Sequence, residues 1–178
     1  MKTNMRRNLV PFLFLVALAF CLPAIARAED PTKLVAKLNP ASDSKVMGTV
    51  TFTAAGDETQ VMIDITGLTP GQHGFHIHEK GDCSDPKAAS AGAHFNPGQS
   101  HHGGPLTAIR HAGDFGNVEA DATGKVHLEL KQKGMKMSGP ESVVGKSIIV
   151  HAKEDDLKTD PTGNSGDRVA CGVIEAAK

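Results

Sequence analysis

The chain has no tryptophan and no tyrosine, and its 178 residues include only 7 phenylalanines and 3 cysteines. Phe12, Phe14 and Phe20 fall within the first 28 residues, so a core must be assembled mainly from Val, Ile, Leu and Ala. Long hydrophobic runs are also missing. The longest, Leu9 to Leu22, is 14 residues interrupted by one proline, short of the ~20 apolar residues that span a bilayer. Lys2, Arg6 and Arg7 precede it and Ala26-Arg27-Ala28 follows it, the layout of a signal peptide ending in a small-residue cleavage site. Phe20 is bulky where a lipidated Cys21 would need a small neighbour. The expectation is therefore cleavage after residue 28, export to a periplasmic or extracellular space, and no stable membrane insertion. Removing 28 of 178 residues leaves 150, one domain's worth, and removing four positive charges takes the net charge from −1 to −5. No basic block remains to neutralise phosphates, which excludes a nucleic-acid surface.

Helix signals are nearly absent from residues 29–178, and no internal repeat or low-complexity linker interrupts them. Short β-branched or alternating runs appear instead, punctuated by Gly, Pro, Asp and Asn. They predict strands at Lys33–Leu38, Val46–Ala54, Thr59–Thr66, His73–Glu79, Asp114–Ala120, Lys125–Lys131, Lys146–Ala152 and Val169–Ile174. Val61, Ile63 and Ile65 alternate with Met62, Asp64 and Thr66, the period of a half-buried strand. Asp121-Ala122-Thr123-Gly124 reads as a hairpin turn, and Thr69-Pro70-Gly71 separates another pair. Eight short strands without helices imply an antiparallel sandwich or barrel, which closes to bury its edges. Two connections are too long for turns, Lys80 to Gly113 and Glu154 to Asp167, and such loops in a compact domain carry function or stay disordered. With Cys21 gone, Cys83 and Cys171 are the one possible pair, and an oxidising compartment should join them.

What the chain does have is histidine, concentrated: seven of nine lie between His73 and Asp114. Imidazole is the commonest protein metal ligand. His76 and His78 are two apart, so on a strand both rings reach one face. His151 ends the apolar run Ser147-Ile148-Ile149-Val150 and brings a third ring from another strand. In the long loop, His94, a histidine at 101 or 102, His111 and Asp114 give three nitrogens and one oxygen. That set can close a tetrahedral zinc site with no open position, as structural zinc requires. Spacing alone does not choose between His101 and His102.

Gly74-Phe75-His76-Ile77-His78-Glu79-Lys80-Gly81-Asp82-Cys83 resembles the first signature of copper/zinc superoxide dismutases, and Gly163-Asn164-Ser165-Gly166-Asp167-Arg168-Val169-Ala170-Cys171-Gly172-Val173-Ile174 resembles the second. His94-Phe95-Asn96-Pro97, His102-Gly103-Gly104-Pro105, Gly113-Asp114 and Gly116-Asn117-Val118 match between them, so the likeness covers essentially all of residues 29–178. The resemblance implies an eight-stranded Greek-key β-barrel of the immunoglobulin-like sandwich kind, with two long functional loops. It implies one copper ion per chain on His76, His78, His94 and His151, and one zinc ion on His94, His102, His111 and Asp114. His94 would serve both ions. The implied activity is conversion of superoxide to oxygen and hydrogen peroxide by alternate reduction and oxidation of copper. Arg168 would hold the superoxide anion and the His94 ring would handle a proton. Four nitrogens suit Cu(II), which tops the divalent affinity order, whereas zinc has no accessible redox change.

Asp155 matches a carboxylate that orients ligands of both ions, His73 a histidine that packs and hydrogen-bonds without binding metal. His127 reads as an exposed strand residue, and His101 receives no role. An exported copper-delivery module of the same fold is the alternative reading, and such a relative would be expected to lack ligands that are all present here. Cys83 sits earlier relative to His94, and the stretch from His151 to Arg168 is shorter, than in animal-type enzymes. The Cys83 placement is more like that of exported bacterial members, and the shorter stretch leaves electrostatic guidance by that loop open. Val143-Val144-Gly145 resembles an animal-type dimer contact, with Glu175 setting a charge near it, so a homodimer and a monomer are both open.

Overall fold

The computed structural model describes residues 30–177; the expected signal peptide, residues 1–28, lies outside them. Eight antiparallel strands form: β1 (Lys33–Pro40), β2 (Met47–Ala55), β3 (Glu58–Thr66), β4 (Gly71–His78), β5 (Asp114–Ala120), β6 (Val126–Lys133), β7 (Ser147–His151) and β8 (Arg168–Ala176). Each coincides with a strand expected from the sequence, with ends shifted by a residue or two where ladder pairing runs past the apolar pattern. The strand order is β5-β4-β7-β8-β1-β2-β3-β6. The two outermost strands, β5 and β6, are joined by the Asp121–Gly124 hairpin, which curls the sheet into a nearly closed barrel. In that turn the Asp121 side chain accepts the main-chain N–H of Thr123 at 2.7 Å and of Lys125 at 3.0 Å. Gly124 takes φ 76°, and a Cβ there would press on the Leu68 carbonyl.

β3 and β4 follow one another in sequence but are not neighbours, so Gly67 to Pro70 is a crossing between the two halves of the barrel rather than a hairpin. β6 to β7 crosses back. These crossings place β4 between β5 and β7, and β8 between β7 and β1. Val61, Ile63 and Ile65 point inward and are buried, as their alternation requires. They join Leu34, Phe52, Phe75, Ile77, Ile148, Val150 and Ile174 in one core.

β4 and β7 are buried on both faces. Phe75 and Ile77, with Ile148 and Val150, face the core. His76, His78 and His151 point the other way, out of the barrel, as residues one step along each strand must. The two long connections, residues 79–113 and 152–167, cover that outer face. The first has one regular feature, a 3-10 turn at Ala89–Ala91, and is otherwise irregular as expected. The Cys83–Cys171 disulfide pins it to β8 across a sequence separation of 88. By loop-closure entropy such a link is worth about 4–5 kcal/mol. Among the described residues no helix is long and apolar enough to cross a membrane.

Phe52 is fully buried. Phe52→Ala should lower the unfolding free energy by about 3–5 kcal/mol, read by denaturant titration; a loss below ~1 kcal/mol would contradict the core described.

Candidate metal centre

β4 pairs at its end with the returning loop: His78 forms an isolated antiparallel bridge with His94, and Phe95 and Ile77 share a main-chain bond of 2.8 Å. This bridge, in which the Phe95 N–H donates to the Ile77 carbonyl while the Ile77 N–H donates to Gly113, carries His94 to the outer face of β4, next to His76 and His78. His151 arrives from β7, whose Ile149 pairs with His76. The result is a group of four buried imidazoles, His76, His78, His94 and His151, whose nearest nitrogens all lie within 4.8 Å of one another. The ring centroids of His76 and His94 are 4.0 Å apart and those of His78 and His94 4.9 Å.

A second group, His94, His102, His111 and Asp114, lies on the other side of the His94 ring and meets the same limit. Asp114 Oδ1 stands 2.9 Å from His94 Nδ1, 3.1 Å from His102 Nδ1 and 3.1 Å from His111 Nδ1, and the Nδ1 atoms of His94 and His111 are 3.4 Å apart. A tetrahedral ion with ligands at about 2.0–2.1 Å needs edges of about 3.3–3.4 Å, so this cluster is close to the size of a zinc cage. The other Asp114 oxygen, Oδ2, accepts the main-chain N–H of Gly103 and His111, both at 3.0 Å. Those bonds leave Oδ1 turned to the three rings.

Each ring of the first group has one nitrogen tied to the protein. His76 Nε2 meets Asp155 Oδ2 at 2.8 Å, His78 Nδ1 the Gly92 carbonyl at 2.9 Å, His94 Nδ1 Asp114 Oδ1 at 2.9 Å, and His151 Nδ1 the Gly166 carbonyl at 3.2 Å. The opposite nitrogens, His76 Nδ1, His78 Nε2, His94 Nε2 and His151 Nε2, are buried and have no hydrogen-bond partner. A fifth, His102 Nδ1, faces Asp114 Oδ1 off the line of a hydrogen bond. Buried polar atoms are rarely left unpaired, and each such atom calls for an explanation. Here four of them converge on one point from four rings, a donor set suited to Cu(II).

Asp155 is buried and spans both groups: Oδ2 meets His76, and Oδ1 meets His102 Nε2 at 2.9 Å. Its backbone is clamped by Asn117, whose side chain accepts the Asp155 N–H at 2.7 Å and donates to the Asp155 carbonyl at 2.9 Å. Gly163, at φ 63°, lies against Asp155 and His102 so closely that any Cβ would overlap both. Arg168 donates to the carbonyls of Ala88 and Gly92, each at 2.7 Å. Gly92 is also the acceptor for His78, so one carbonyl joins the guanidinium to the first group.

His73 belongs to neither group; its ring nitrogens lie 2.8 Å from the His151 carbonyl and 2.9 Å from the Thr69 carbonyl. His101 points to solvent and contacts Asp160, while its neighbour His102 is buried. His127 is exposed on the outer face of β6, paired with Asp64. The Asn117 clamp and the contacts of Arg110 with the His111 and Asp114 carbonyls (3.0 and 3.2 Å) are additions. For Asn117 the Gly116-Asn117-Val118 match was the available signal; Arg110 had none beyond adjacency to His111.

Burial pushes the His78 imidazole well below the ordinary histidine range, and His94 adds to it. Burial also lowers His94 to about 4, against the pull of Asp114. His151 falls to about 3 through burial and the neighbouring His76. Burial opposes charge on His102 too, but the close carboxylates of Asp114 and Asp155 outweigh it and raise this ring to about 10.

A family model described as copper/zinc superoxide dismutase matches residues 46–174. An extracellular copper-zinc superoxide dismutase of Brugia pahangi is 42% identical over 159 residues, covering 84% of this chain and 79% of the relative. One from Drosophila melanogaster is 40% identical over 173 residues, covering 89% and 95%. A copper-zinc superoxide dismutase of Onchocerca volvulus is 47% identical over 128 residues, covering 67% and 80%. Among solved structures, that of the clock protein EA4 superposes with a TM-score of 0.78 at 39% identity, over 85% of this chain and 98% of its own. These relatives come from two nematodes and a fly, so the expected placement among bacterial members finds no support in them.

In the metal-free protein the lowered and raised histidines act in opposite directions. His78, His94 and His151 bind fewer protons folded than unfolded below the ordinary value of 6.5, so stability falls as pH drops from there towards about 4. The His102 contribution is complete below 6.5 and is lost as pH rises towards about 10. The melting temperature of metal-free protein should therefore peak near neutrality, and His102→Gln should flatten its alkaline limb. A parent melting temperature that climbs steadily from neutral to alkaline pH would contradict these assignments.

Proposed function

The chain belongs to the copper/zinc superoxide dismutase family and is an oxidoreductase using copper and zinc, and we propose that His76, His78, His94 and His151 hold the copper while His94, His102, His111 and Asp114 hold the zinc. Four buried nitrogens with no protein partner, aimed at one point, carry this reading. Copper held there would supply the one-electron redox change by which two superoxide ions and two protons give oxygen and hydrogen peroxide.

The remaining work falls to the chain's own residues. Arg168, fixed by two carbonyls and by the nearby Cys83–Cys171 link, presents positive charge beside the His78 and His151 rings and would hold the anion. His94 Nε2 would take up and return the proton that peroxide needs, since its Nδ1 is committed to the second group. Asp155 would hold His76 and His102 in fixed tautomers by accepting from the Nε2 of each, the usual role of a carboxylate behind a ligating imidazole. Four protein ligands would leave a zinc ion on His94, His102, His111 and Asp114 no open position for a hydrolytic water, which disfavours hydrolase chemistry.

Export of residues 29–178 after cleavage of the leader is supported by two relatives named extracellular and by the disulfide. The finer bacterial placement rests on the early position of Cys83 alone. For the homodimer, the support is the family pattern at Val143-Val144-Gly145; Val144 is 38% exposed, with Glu175 exposed at the end of β8. Light scattering at known concentration distinguishes dimer from monomer.

Protein loaded with both metals should consume superoxide, and His76→Ala and His151→Ala should each abolish this together with the copper spin-resonance signal. Retained activity in either variant would reject the copper assignment. Arg168→Ala should lower kcat/KM about 10- to 100-fold, the worth of one charged hydrogen bond, while leaving copper content unchanged. An unaltered kcat/KM would remove Arg168 from anion binding.

A further inference from the structure

We propose that Asp160 is a positioning residue of the zinc group, an outer latch that holds His102 from its main-chain side while Asp155 holds it from its ring side. This rests on the zinc assignment made above. Asp160 Oδ1 accepts the His102 N–H at 2.6 Å, and Oδ2 meets His101 Nδ1 at 2.6 Å. Asp155 Oδ1 meets the His102 ring at 2.9 Å. Both carboxylates come from one short segment of the 152–167 connection, so a single piece of chain grips one residue of the other loop at two points.

That segment is braced well enough to act as a clip. Asp156 accepts the main-chain N–H of Lys158 at 3.1 Å and of Thr159 at 2.8 Å, and the Asn164 side-chain amide at 2.9 Å. The Thr159 carbonyl accepts the Gly163 N–H at 2.7 Å, and the Gly163 carbonyl accepts that of Asp156 at 2.8 Å. Asp155 Oδ1 also accepts the Leu157 N–H at 2.7 Å. The distance between the Asp155 and Asp160 carboxylates is thus braced by bonds within the segment on both sides of Asp156, while Asn117 of β5 anchors its Asp155 end to the barrel. His102 is followed by Gly103 and Gly104, flexible residues whose restraint at this point is the Gly103 N–H bond to Asp114 Oδ2. The Asp160 contact with the His102 N–H adds a second restraint one residue earlier and so bears on the direction from which Nδ1 addresses Asp114.

The contact has a graded chemistry. A carboxamide at position 160 keeps an oxygen for the His102 N–H but loses the charge and the second acceptor, whereas a methyl keeps neither. His101 touches only the outer oxygen and its side chain is 88% exposed, so its removal leaves the N–H contact in place.

Zinc affinity of the copper-loaded full-length protein, measured by competition with a chromophoric chelator, tests the latch. Asp160→Ala should weaken zinc about 10- to 100-fold, the range for residues that orient a metal ligand from behind, with the metal-free melting temperature nearly unchanged. Asp160→Asn should fall between Ala and the parent, and His101→Ala should stay within threefold of the parent. Hydrogen exchange at the His102 amide should rise in Asp160→Ala. A zinc affinity within twofold of the parent in Asp160→Ala, or a loss in His101→Ala as large as in Asp160→Ala, would overturn the proposal. His111→Ala serves as the reference: if it too leaves zinc affinity unchanged, the zinc assignment itself fails, whereas loss in His111→Ala alone removes only the latch.

Discussion

A neutral imidazole donates from one nitrogen and accepts at the other, and burying the ring obliges both to find partners. Seven rings are buried here, and five of them meet that demand by a common device. In each of the four rings around the first group, one nitrogen is tied to a carbonyl or carboxylate and the other is turned towards a point where no protein atom waits. Without an ion at that point the unpaired nitrogens are a standing cost, of order 1–3 kcal/mol each. With one, the same atoms become a preassembled donor set. His94 meets the demand twice over, since its two nitrogens address two different groups. Much of the architecture follows from keeping that ring in place.

The barrel contributes rigidity on one side only. β4 and β7 fill the core with Phe75, Ile77, Ile148 and Val150, and this fixes where His76, His78 and His151 emerge on the reverse face. Apart from the Ala89–Ala91 turn and the short His78–His94 bridge, the chain covering that face is irregular and has no ladder to hold it. It is held instead by specific links: the disulfide at Cys83, the guanidinium of Arg168 across two carbonyls, the Asn117 clamp on Asp155, and the Asp114 oxygen that collects two N–H groups. The carboxylates also carry an electrostatic role. Burial alone would raise them, but the rings of His102 and His94 beside Asp114, and of His102 and His76 beside Asp155, hold both well below the usual range. They stay charged where a divalent ion would need them charged.

The strands were legible because their signal is local. Val61, Ile63 and Ile65 declare a half-buried strand by alternation alone, and His76-x-His78 declares a common face for the same reason. Pairing was not legible: nothing in Gly67 to Pro70 says that the chain crosses the barrel instead of turning back on itself. The same division holds at the site. Adjacent histidines at 101 and 102 are equivalent in spacing, and they part only in space, where one ring packs between Asp114 and Asp155 and the other reaches solvent. The family pattern could choose between them; the residues themselves could not. Partners that act through main-chain atoms, such as Gly92 and Gly166, leave almost no trace in side-chain chemistry, and Asp160 sits among enough other acids to pass as a solvated loop residue.

Anomalous X-ray diffraction from crystals of the metal-loaded protein, recorded on both sides of the copper and zinc absorption edges, addresses the central claim most directly. The account predicts copper at the meeting point of His76, His78, His94 and His151, zinc at that of His94, His102, His111 and Asp114, and the His94 ring touching both ions through opposite nitrogens. An ion found at only one of the two points, or a His94 ring bound to one ion and turned from the other, would contradict it.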